Sequence, residues 1–323
     1  MKRFKTAILL GAATATIFFG STAKQAARAG TLNLGWNYAI DPSYDSLDSN
    51  GMGGITTGGT IYEIYGMAIK DDVSANTIWI AINANLPLTG NPTEDTVNGY
   101  PVSNRNIGFG DLFFDFSARN NFKDASDSNS LFGIRFAPNN DSNTRSTGIY
   151  SGVKAKSVLA QNAGWSNFYN HSINGVLPLT GFEARTGDLA WNDSYYNPYT
   201  SEGSHSRPES LIPNVIESGN KVGDITMVGD AELVAAGFAL NVIPAPSSSR
   251  TIGFKFDKSL LSVGSYVATL IQECNNDAIA LKGETQPLLP PPEAIPEPSF
   301  IFGTLLGFGA IAARRKRKQK LAV

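Results

Sequence analysis

The chain of 323 residues has 26 Lys and Arg against 28 Asp and Glu, a formal net charge of −2. Eleven of the cations lie in residues 1–29 and 314–320, so residues 30–296 keep 15 cations against 27 acids, a net charge near −12. Because nucleic acids bind clustered Lys and Arg, an acidic body argues against a nucleic-acid partner.

The N-terminus has the order of a secretory signal peptide: a basic start, an apolar run and small residues at the positions that a signal peptidase reads. These parts are Lys2, Arg3 and Lys5, then residues 6–20, then Ala27 and Ala29. We expect residues 1–29 to be removed, so that the mature chain begins at Gly30 and is exported. An uncleaved N-terminal anchor is the alternative, which the short apolar run disfavours.

Three loops rich in Asp and Asn carry the oxygen ligands that calcium takes. The first contains Asp41, Asp45, Asp48 and Asn50, but Thr57 stands where an EF-hand needs a bidentate Glu. The other two contain Asp124, Asp127 and Asn129, and Asn139, Asn140, Asp141 and Asn143. We therefore expect all three loops to form turns, in which such side chains bond their own backbone, and no cofactor. Calcium binding at the first loop is the alternative.

Residues 30–285 contain β-rich runs separated by Gly, Asn, Asp and Ser clusters, which predicts a mainly β body, an antiparallel β-sandwich of jelly-roll-like type. Its length allows one domain or two β subdomains. Residues 60–69 and 77–82 predict a hairpin with its loop at 70–76. Further strands are predicted over residues 111–117, 131–136, 148–158, 251–256 and 265–273. Residues 230–238 predict a short helix whose acidic start caps it.

The motif L-P-x-T-G, which sortases read, occurs at residues 86–90 and again at 177–181. A sortase signal stands just before a C-terminal anchor, and both copies lie more than a hundred residues upstream of the C-terminal apolar segment. A Pro followed two residues later by Thr-Gly is typical of a chain leaving a strand. We therefore expect two strand exits here.

Aromatic residues crowd the segment WNDSYYNPY. Flat rings beside amides and carboxylates can stack on sugar faces and bond their hydroxyls, which makes this segment a candidate carbohydrate site. The candidate residues are Trp191, Asn192, Asp193, Tyr195, Tyr196 and Tyr199, with Trp36 and Tyr38 as further candidates. Rings of this kind also anchor a long loop to its own core, which is the interpretation we favour, and sugar binding is the alternative.

No enzymatic motif stands out in the sequence, and His171 and His205 have no partner at metal-ligand spacing. Asp111 and Asp115 share a strand face, but about 13 Å would separate them at ~3.3 Å per residue. Glycosidase carboxyls stand roughly 5 to 10 Å apart. We expect a protein without catalytic activity. A polysaccharide-modifying enzyme, with carboxylates from different strands, is the least favoured alternative.

Cys274 is the single cysteine, so no intramolecular disulfide can form and stability must come from core burial. It follows the apolar run TLIQE, and we expect a buried strand thiol. Beyond it, residues 286–298 carry six prolines in thirteen positions, which predicts an extended, stiff spacer.

Three elements follow in order at the C-terminus, over residues 296–323. They are Pro296, Glu297 and Pro298; an uncharged stretch of fifteen residues from Ser299 to Ala313; and a basic end of Arg314, Arg315, Lys316, Arg317, Lys318 and Lys320. As a helix the stretch would reach roughly 22 Å, just short of the ~30 Å hydrocarbon core of a bilayer. The basic end would stay in the cytoplasm and leave the body on the outer side.

The tripeptide, the apolar segment and the basic end together resemble the PEP-CTERM sorting signal of bacterial proteins handled by an exosortase. This resemblance implies processing by signal peptidase and exosortase, transient membrane anchoring through the C-terminal helix, and release or transfer to the cell surface. In that family, release or transfer to the cell surface often takes place where exopolysaccharide is made. A C-terminal anchor that is never cut is the alternative.

Segments of the body, such as IYEIYGMAIKDDV and SYVATLIQECNNDAIAL, also resemble a group of cyanobacterial exosortase-dependent surface proteins. That likeness implies a location and a shared fold, without a chemistry. We therefore expect an exported structural or adhesive component of the extracellular polysaccharide matrix. A lectin-like module, with or without help from calcium, is the alternative.

Overall fold

The computed structural model describes residues 31–49, 54–117 and 121–289. The described residues up to Gln286 belong to one compact unit, and a second unit from Pro287 is described only over residues 287–289. The predicted signal peptide and the predicted sorting signal lie outside the described residues. Within the described part of the chain, the structure has no helix with the length and apolar character needed to cross a bilayer.

Strands dominate the described residues. In chain order they are β1 (Thr31–Asn33), β2 (Trp36–Ile40), β3 (Leu47–Ser49), β4 (Ile55–Thr57), β5 (Ile64–Asp72), β6 (Thr77–Ala84), β7 (Asn91–Pro92), β8 (Thr96–Val97), β9 (Tyr100–Pro101), β10 (Asn106–Ile107), β11 (Phe109–Asp115), β12 (Leu131–Arg135), β13 (Gly148–Lys156), β14 (Arg185–Thr186), β15 (Leu189–Ala190), β16 (Val215–Gly223), β17 (Thr226–Val228), β18 (Arg250–Asp257), β19 (Gly264–Gln272) and β20 (Ala278–Thr285).

Most of these strands form two six-stranded sheets. Sheet A has the order β1-β2-β5-β6-β18-β17, and sheet B has the order β16-β13-β12-β11-β19-β20. Four small ladders pair β3 with β4, β7 with β10, β8 with β9, and β14 with β15. Every ladder between these strands is antiparallel, so the predicted mainly β, antiparallel class is confirmed.

The helices are short and lie between strands. They are α1 (Phe122–Asp127), a π-helix (Asn170–Val176) that runs directly into α2 (Leu177–Thr180), and α3 (Asp230–Ala235). Single 3₁₀ turns occur at Ser103–Arg105, Leu159–Gln161, Ser194–Tyr196, Pro208–Ser210 and Lys258–Leu260. The predicted helix is confirmed as α3, but its cap is wrong: Gly229 is the N-cap residue and makes no side-chain cap.

The main core lies between the two sheets. Ile80 and Phe254 from sheet A and Leu112, Leu270 and Ile279 from sheet B belong to one buried cluster. Since strand side chains alternate between faces, each sheet also has an outer face to cover. On sheet B the outer face is covered by the long segment between β13 and β16, and on sheet A by α3 and the loop after it.

The predicted hairpin is confirmed: β5 and β6 pair antiparallel, although β5 continues to Asp72 and shortens the loop to residues 73–76. The first L-P-x-T-G segment is a turn after β6, in which Gly90 N–H donates to Pro87 O. The strand exit predicted for the second copy is wrong. Residues 177–180 form α2, which ends at Gly181 with a φ of 77° because a left-handed residue closes a helix well.

Candidate functional site

Buried acidic side chains gather where the two sheets join. Asp41 follows β2, Asp45 lies in the next loop, Glu63 precedes β5 and Asp277 precedes β20. We call these four residues the carboxylate cluster; each is at most 2% exposed. One carboxylate oxygen from each of Asp41, Asp45 and Asp277 lies within 4.8 Å of the other two. Three oxygens at this spacing could share one metal ion.

Backbone N–H groups hold three of these carboxylates in place. Asp277 joins the two sheets, since its Oδ2 accepts from Ile64 N at 2.7 Å and its Oδ1 from Ala278 N at 2.8 Å. Asp41 Oδ1 accepts from Gly187 N at 2.8 Å. Asp45 Oδ2 accepts from Arg185 N at 2.8 Å. The segment around β14 therefore closes the cluster from a third side.

Glu63 is held by the loop before β5. Its Oε2 accepts from Ser46 Oγ at 2.6 Å and from Gly59 N at 2.6 Å. The remaining oxygens of three of these side chains, Asp41 Oδ2, Asp45 Oδ1 and Glu63 Oε1, are buried without a hydrogen-bond partner among the described residues. Buried polar atoms are nearly always bonded, so three unpartnered oxygens in one place call for an explanation.

The electrostatics of the carboxylate cluster follow from burial of like charges. Burial raises the pKa of Asp41 well above its usual range, and the neighbouring Asp45 and Asp277 raise it further. Burial also raises the pKa of Glu63 to about 7. Glu63 in turn raises the pKa of each of the three aspartates. Taking several carboxylates out of water together is costly unless a positive charge joins them.

Few cationic groups stand close to the carboxylate cluster. The half-buried Arg185 lowers the pKa of Asp45, against the larger effect of burial. His171 is buried, and its Nε2 lies 3.0 Å from Asn276 O. Burial lowers the pKa of His171 to about 4, so the ring is neutral at pH 7. Neutral His171 adds no charge that would balance the carboxylates.

Of the four residues that the sequence analysis gave for calcium, the structure brings two into the carboxylate cluster. Asp41 and Asp45 lie in the carboxylate cluster, whereas Asp48 is half-buried in β3 and accepts from Ser49 N at 2.7 Å. Asn50 lies outside the described residues. The sequence analysis missed Glu63 and Asp277. Each is an acid inside or beside an apolar run, and this position could have indicated that the side chain is buried.

The residues of the other two acidic loops have structural contacts, although not the predicted turns, since Asp124 and Asp127 lie in the helix α1. Asn121 caps α1 by accepting from Asp124 N at 2.8 Å. In the third loop, Asn140 Nδ2 donates to Asp111 Oδ1 at 2.7 Å, and Asp111 Oδ2 accepts from Ile216 N at 2.7 Å. Asn140 is thus a hydrogen-bond donor to a buried carboxylate, and Asp111 ties β11 to β16.

The candidate carbohydrate site in the aromatic segment is contradicted by burial. Trp191, Tyr195, Tyr196 and Tyr199 are each at most 8% exposed and belong to the cluster on the outer face of sheet B. The Tyr196 ring lies 4.4 Å, centroid to centroid, from Phe168. These rings anchor their own loop and leave no open face on which a sugar could stack.

The polar members of the aromatic segment also serve the loop. Asp193 caps the 3₁₀ turn that carries the tyrosines, accepting from Tyr195 N at 2.9 Å, while Asn192 is exposed beside it. Trp36 and Tyr38 are likewise wrong as sugar-binding candidates. Both are at most 1% exposed and hold the loop after α3, since their rings pack on Phe238 at 5.1 and 5.6 Å.

A groove of about 410 Å³ opens next to the carboxylate cluster. Leu47 and Asn276 line it and are the chain neighbours of Ser46 and Asp277. Rings and polar groups share its wall: Tyr100, Trp165, His205, Asp48, Asn98 and Asn170. The Tyr100 side chain is 51% exposed, and its ring lies 5.5 Å from that of His205. Unlike the Trp191 segment, this groove presents an aromatic ring to solvent.

Comparison with family models, curated proteins and solved structures found no match to this chain. The function is therefore inferred from the residues of the chain and their arrangement.

Proposed function

We propose that this protein is exported, sorted by an exosortase and used at the cell surface as a non-enzymatic structural or adhesive component of the extracellular polysaccharide matrix. The observation that carries the proposal is the ordered C-terminal signal: Pro296, Glu297 and Pro298, then the apolar stretch, then the basic end. A basic and apolar leader that ends at Ala29 stands at the other end of the chain.

The character of the body supports the structural, non-enzymatic part of the proposal. Two antiparallel sheets share one core, which we take to be a β-sandwich that folds without a disulfide. Several buried acids hold strands together: Asp111 accepts from Ile216 N, and Asp188 accepts from Lys282 N at 2.9 Å. These carboxylates are engaged by the backbone, which is the arrangement expected of structural groups.

Mass spectrometry of the protein from its own cells tests the sorting proposal. We expect a mature N-terminus at Gly30, a new C-terminus near Pro298 and recovery in the surface or medium fraction. Replacing Pro296 and Pro298 together by Ala should leave a chain that ends at Val323 in the membrane fraction. Pro290→Ala, in the same proline-rich run, is the matched control and should be processed normally. A full-length chain in the cytosol, with Met1 and Val323 both retained, would contradict the proposal.

The groove beside Tyr100 favours a second candidate function, binding of matrix polysaccharide. An exposed ring flanked by amide and carboxylate groups is the surface on which a sugar can stack and bond its hydroxyls. We expect the purified chain to bind exopolysaccharide from its own cells. Tyr100→Ala should weaken binding at least tenfold, while Phe182→Ala, which removes another exposed ring (64% exposed) outside the groove, should not. Equal binding by both variants would end this candidate.

A further inference from the structure

The carboxylate cluster concentrates negative charge that the described protein does not balance. When ionised, Asp41, Asp45, Glu63 and Asp277 bring four negative charges to a buried volume. Arg185, half-buried at the margin of the cluster, is one positive charge against four. A bound cation would offset the cost of holding these four carboxylates ionised in a buried volume.

Three unpartnered oxygens indicate where that partner would bind. Asp41 and Asp45 each use one carboxylate oxygen on a backbone N–H, and Glu63 uses one on Ser46 and Gly59. The second oxygen of each side chain is buried and has no hydrogen-bond partner among the described residues. The fold thus fixes the direction of three carboxylates while leaving one oxygen of each for a ligand.

The spacing of the oxygens suits a cation of calcium's size. Calcium binds oxygens at about 2.3–2.6 Å, so two oxygens that share one calcium ion stand at most about 5 Å apart. The oxygens of Asp41, Asp45 and Asp277 satisfy this limit, lying within 4.8 Å of one another. The available ligands are all carboxylate oxygens, which hard cations prefer over the nitrogen and sulfur ligands of zinc.

We propose that Asp41, Asp45 and Asp277 bind one calcium ion beside Glu63, and that this ion fastens sheet A to sheet B. Asp41 and Glu63 flank strands of sheet A, and Asp277 immediately precedes β20, an edge strand of sheet B. Calcium fits better than magnesium, because magnesium dehydrates reluctantly and usually keeps several waters instead of occupying a cage of protein carboxylates. The site does not depend on the proposed export or sorting of the chain.

Metal analysis and thermal unfolding of the full chain test the site. After treatment with EDTA and dialysis, the protein should rebind one calcium per chain, measured by equilibrium dialysis with radioactive calcium. Adding CaCl2 should raise the unfolding temperature by an amount that grows with the logarithm of its concentration, since a ligand that binds only the folded state stabilises it. MgCl2 at the same concentration should give a smaller rise.

Variants that remove one charge distinguish a calcium site from a purely structural role, because the two roles predict different changes in the unfolding temperature in EDTA. Asp41→Asn and Asp45→Asn should each lower calcium affinity at least tenfold and abolish most of the thermal response. In EDTA, however, they should unfold at the same temperature as the unsubstituted protein or higher, because an unbalanced buried charge has been removed. Asp48→Asn, an acid of the same stretch outside the carboxylate cluster, is the matched control and should keep the full response.

Two results would overturn the proposal. One is a wild-type chain that binds no calcium and unfolds at the same temperature in EDTA and in CaCl2. The other is a calcium response that survives both Asp41→Asn and Asp45→Asn, or that magnesium reproduces in full. These measurements use no cell fractionation, so the calcium site can be confirmed even if the sorting proposal fails. In the same way, the sorting proposal can be confirmed even if the chain binds no calcium.

Discussion

Glu273 shows how a single buried acid links loops from different parts of the chain. It is 1% exposed; its Oε2 accepts from Gly108 N at 2.7 Å, and its Oε1 accepts from Asp141 N. Burial raises the pKa of Glu273 to about 8, and the nearby Asp141 adds to the rise. The folded protein therefore holds a proton on Glu273 at a pH where the unfolded chain has released it.

This proton makes stability depend on pH. The ordinary pKa is 4.5, so between about pH 4.5 and 8 the folded state binds more protons than the unfolded state. The contribution of protonated Glu273 to the unfolding free energy should be fully present below pH 4.5. It should decline as the pH rises towards 8, by at most about 1.4 kcal/mol per pH unit. Urea denaturation at several pH values measures the slope.

Glu273→Gln is the variant that isolates this effect. It keeps the shape of the side chain but cannot ionise, so its stability should fall less steeply between pH 4.5 and 8 than that of the parent. Other acids, including the carboxylate cluster, are the same in both proteins and cancel in the difference. Parallel pH profiles for the two proteins would show that Glu273 does not carry the proton.

At the scale of elements, α3 and the loop after it close the outer face of sheet A. Leu233 is fully buried in the cluster that contains Trp36, Tyr38 and Phe238. The helix end is also bonded to the sheet, since Ala236 O accepts from Trp36 Nε1 at 3.0 Å and from Lys70 Nζ at 2.8 Å. A helix of six residues is too short to be stable alone, so α3 depends on these contacts and on the ion pair of its Glu232 with Lys255 of β18.

Leu233→Ala should therefore cost about 2–5 kcal/mol of unfolding free energy, the usual range for a leucine removed from a packed core. Val234→Ala is the matched control, because the neighbouring side chain on the same helix is 50% exposed. It should change stability by about 0.5 kcal/mol or less. Chemical denaturation of both variants measures the difference, and a similar loss in the two would mean that α3 does not depend on Leu233.

Local sequence pattern was enough to predict most long strands and α3. Runs of β-branched and aromatic residues predicted the strands, and an acidic start followed by good helix formers predicted the helix. Local pattern failed where the chain folds back on itself between β13 and β16. There Trp191, Tyr195 and Tyr196 had the composition of a sugar-binding surface but proved to be the core of their own loop. Whether an aromatic cluster faces solvent or protein depends on distant residues such as Phe168. A single sequence does not show that Phe168 contacts this cluster.

At the scale of the whole molecule, the two sheets meet along the edge formed by β2, β5 and β20. Asn37 Nδ2 donates to Lys282 O at 2.7 Å, and Gln272 Nε2 donates to Tyr62 O at 2.6 Å. The contact of Asp277 with Ile64 N belongs to the same edge and joins residues 213 positions apart. This separation is why sequence could predict Asp41 and Asp45 as a pair but not Asp277 beside them.

An ion pair secures the end of the body. Lys258, 3% exposed, donates to both carboxylate oxygens of Asp71, whose Oδ2 also accepts from Gln286 N at 2.7 Å. Asp71 is the second-last residue of β5 in sheet A, while Gln286 follows β20 of sheet B. The Asp71 carboxylate therefore ties the last residue of the compact unit to the opposite sheet.

Lys258→Met should cost about 3–5 kcal/mol, because it leaves the Asp71 carboxylate largely buried without its cation. The double variant with Asp71→Asn should recover part of this loss. Lys154→Met is the control, since Lys154 pairs with Glu217 at the surface, and such exposed pairs contribute about 1 kcal/mol or less. Urea denaturation that finds equal losses for Lys258→Met and Lys154→Met would contradict the assignment.

The lone cysteine gives the molecule a built-in reporter. Cys274 is fully buried, as expected, but it lies in the turn between β19 and β20 and not in a strand. Its carbonyl accepts from Trp165 N at 2.8 Å, and Asp277 follows three residues later. A thiol reagent can reach the sulfur only when this turn opens, so the labelling rate of the unmodified protein counts openings of that turn. The labelling rate of Cys274 therefore reports how often the contact between sheet A and sheet B opens, without an engineered probe.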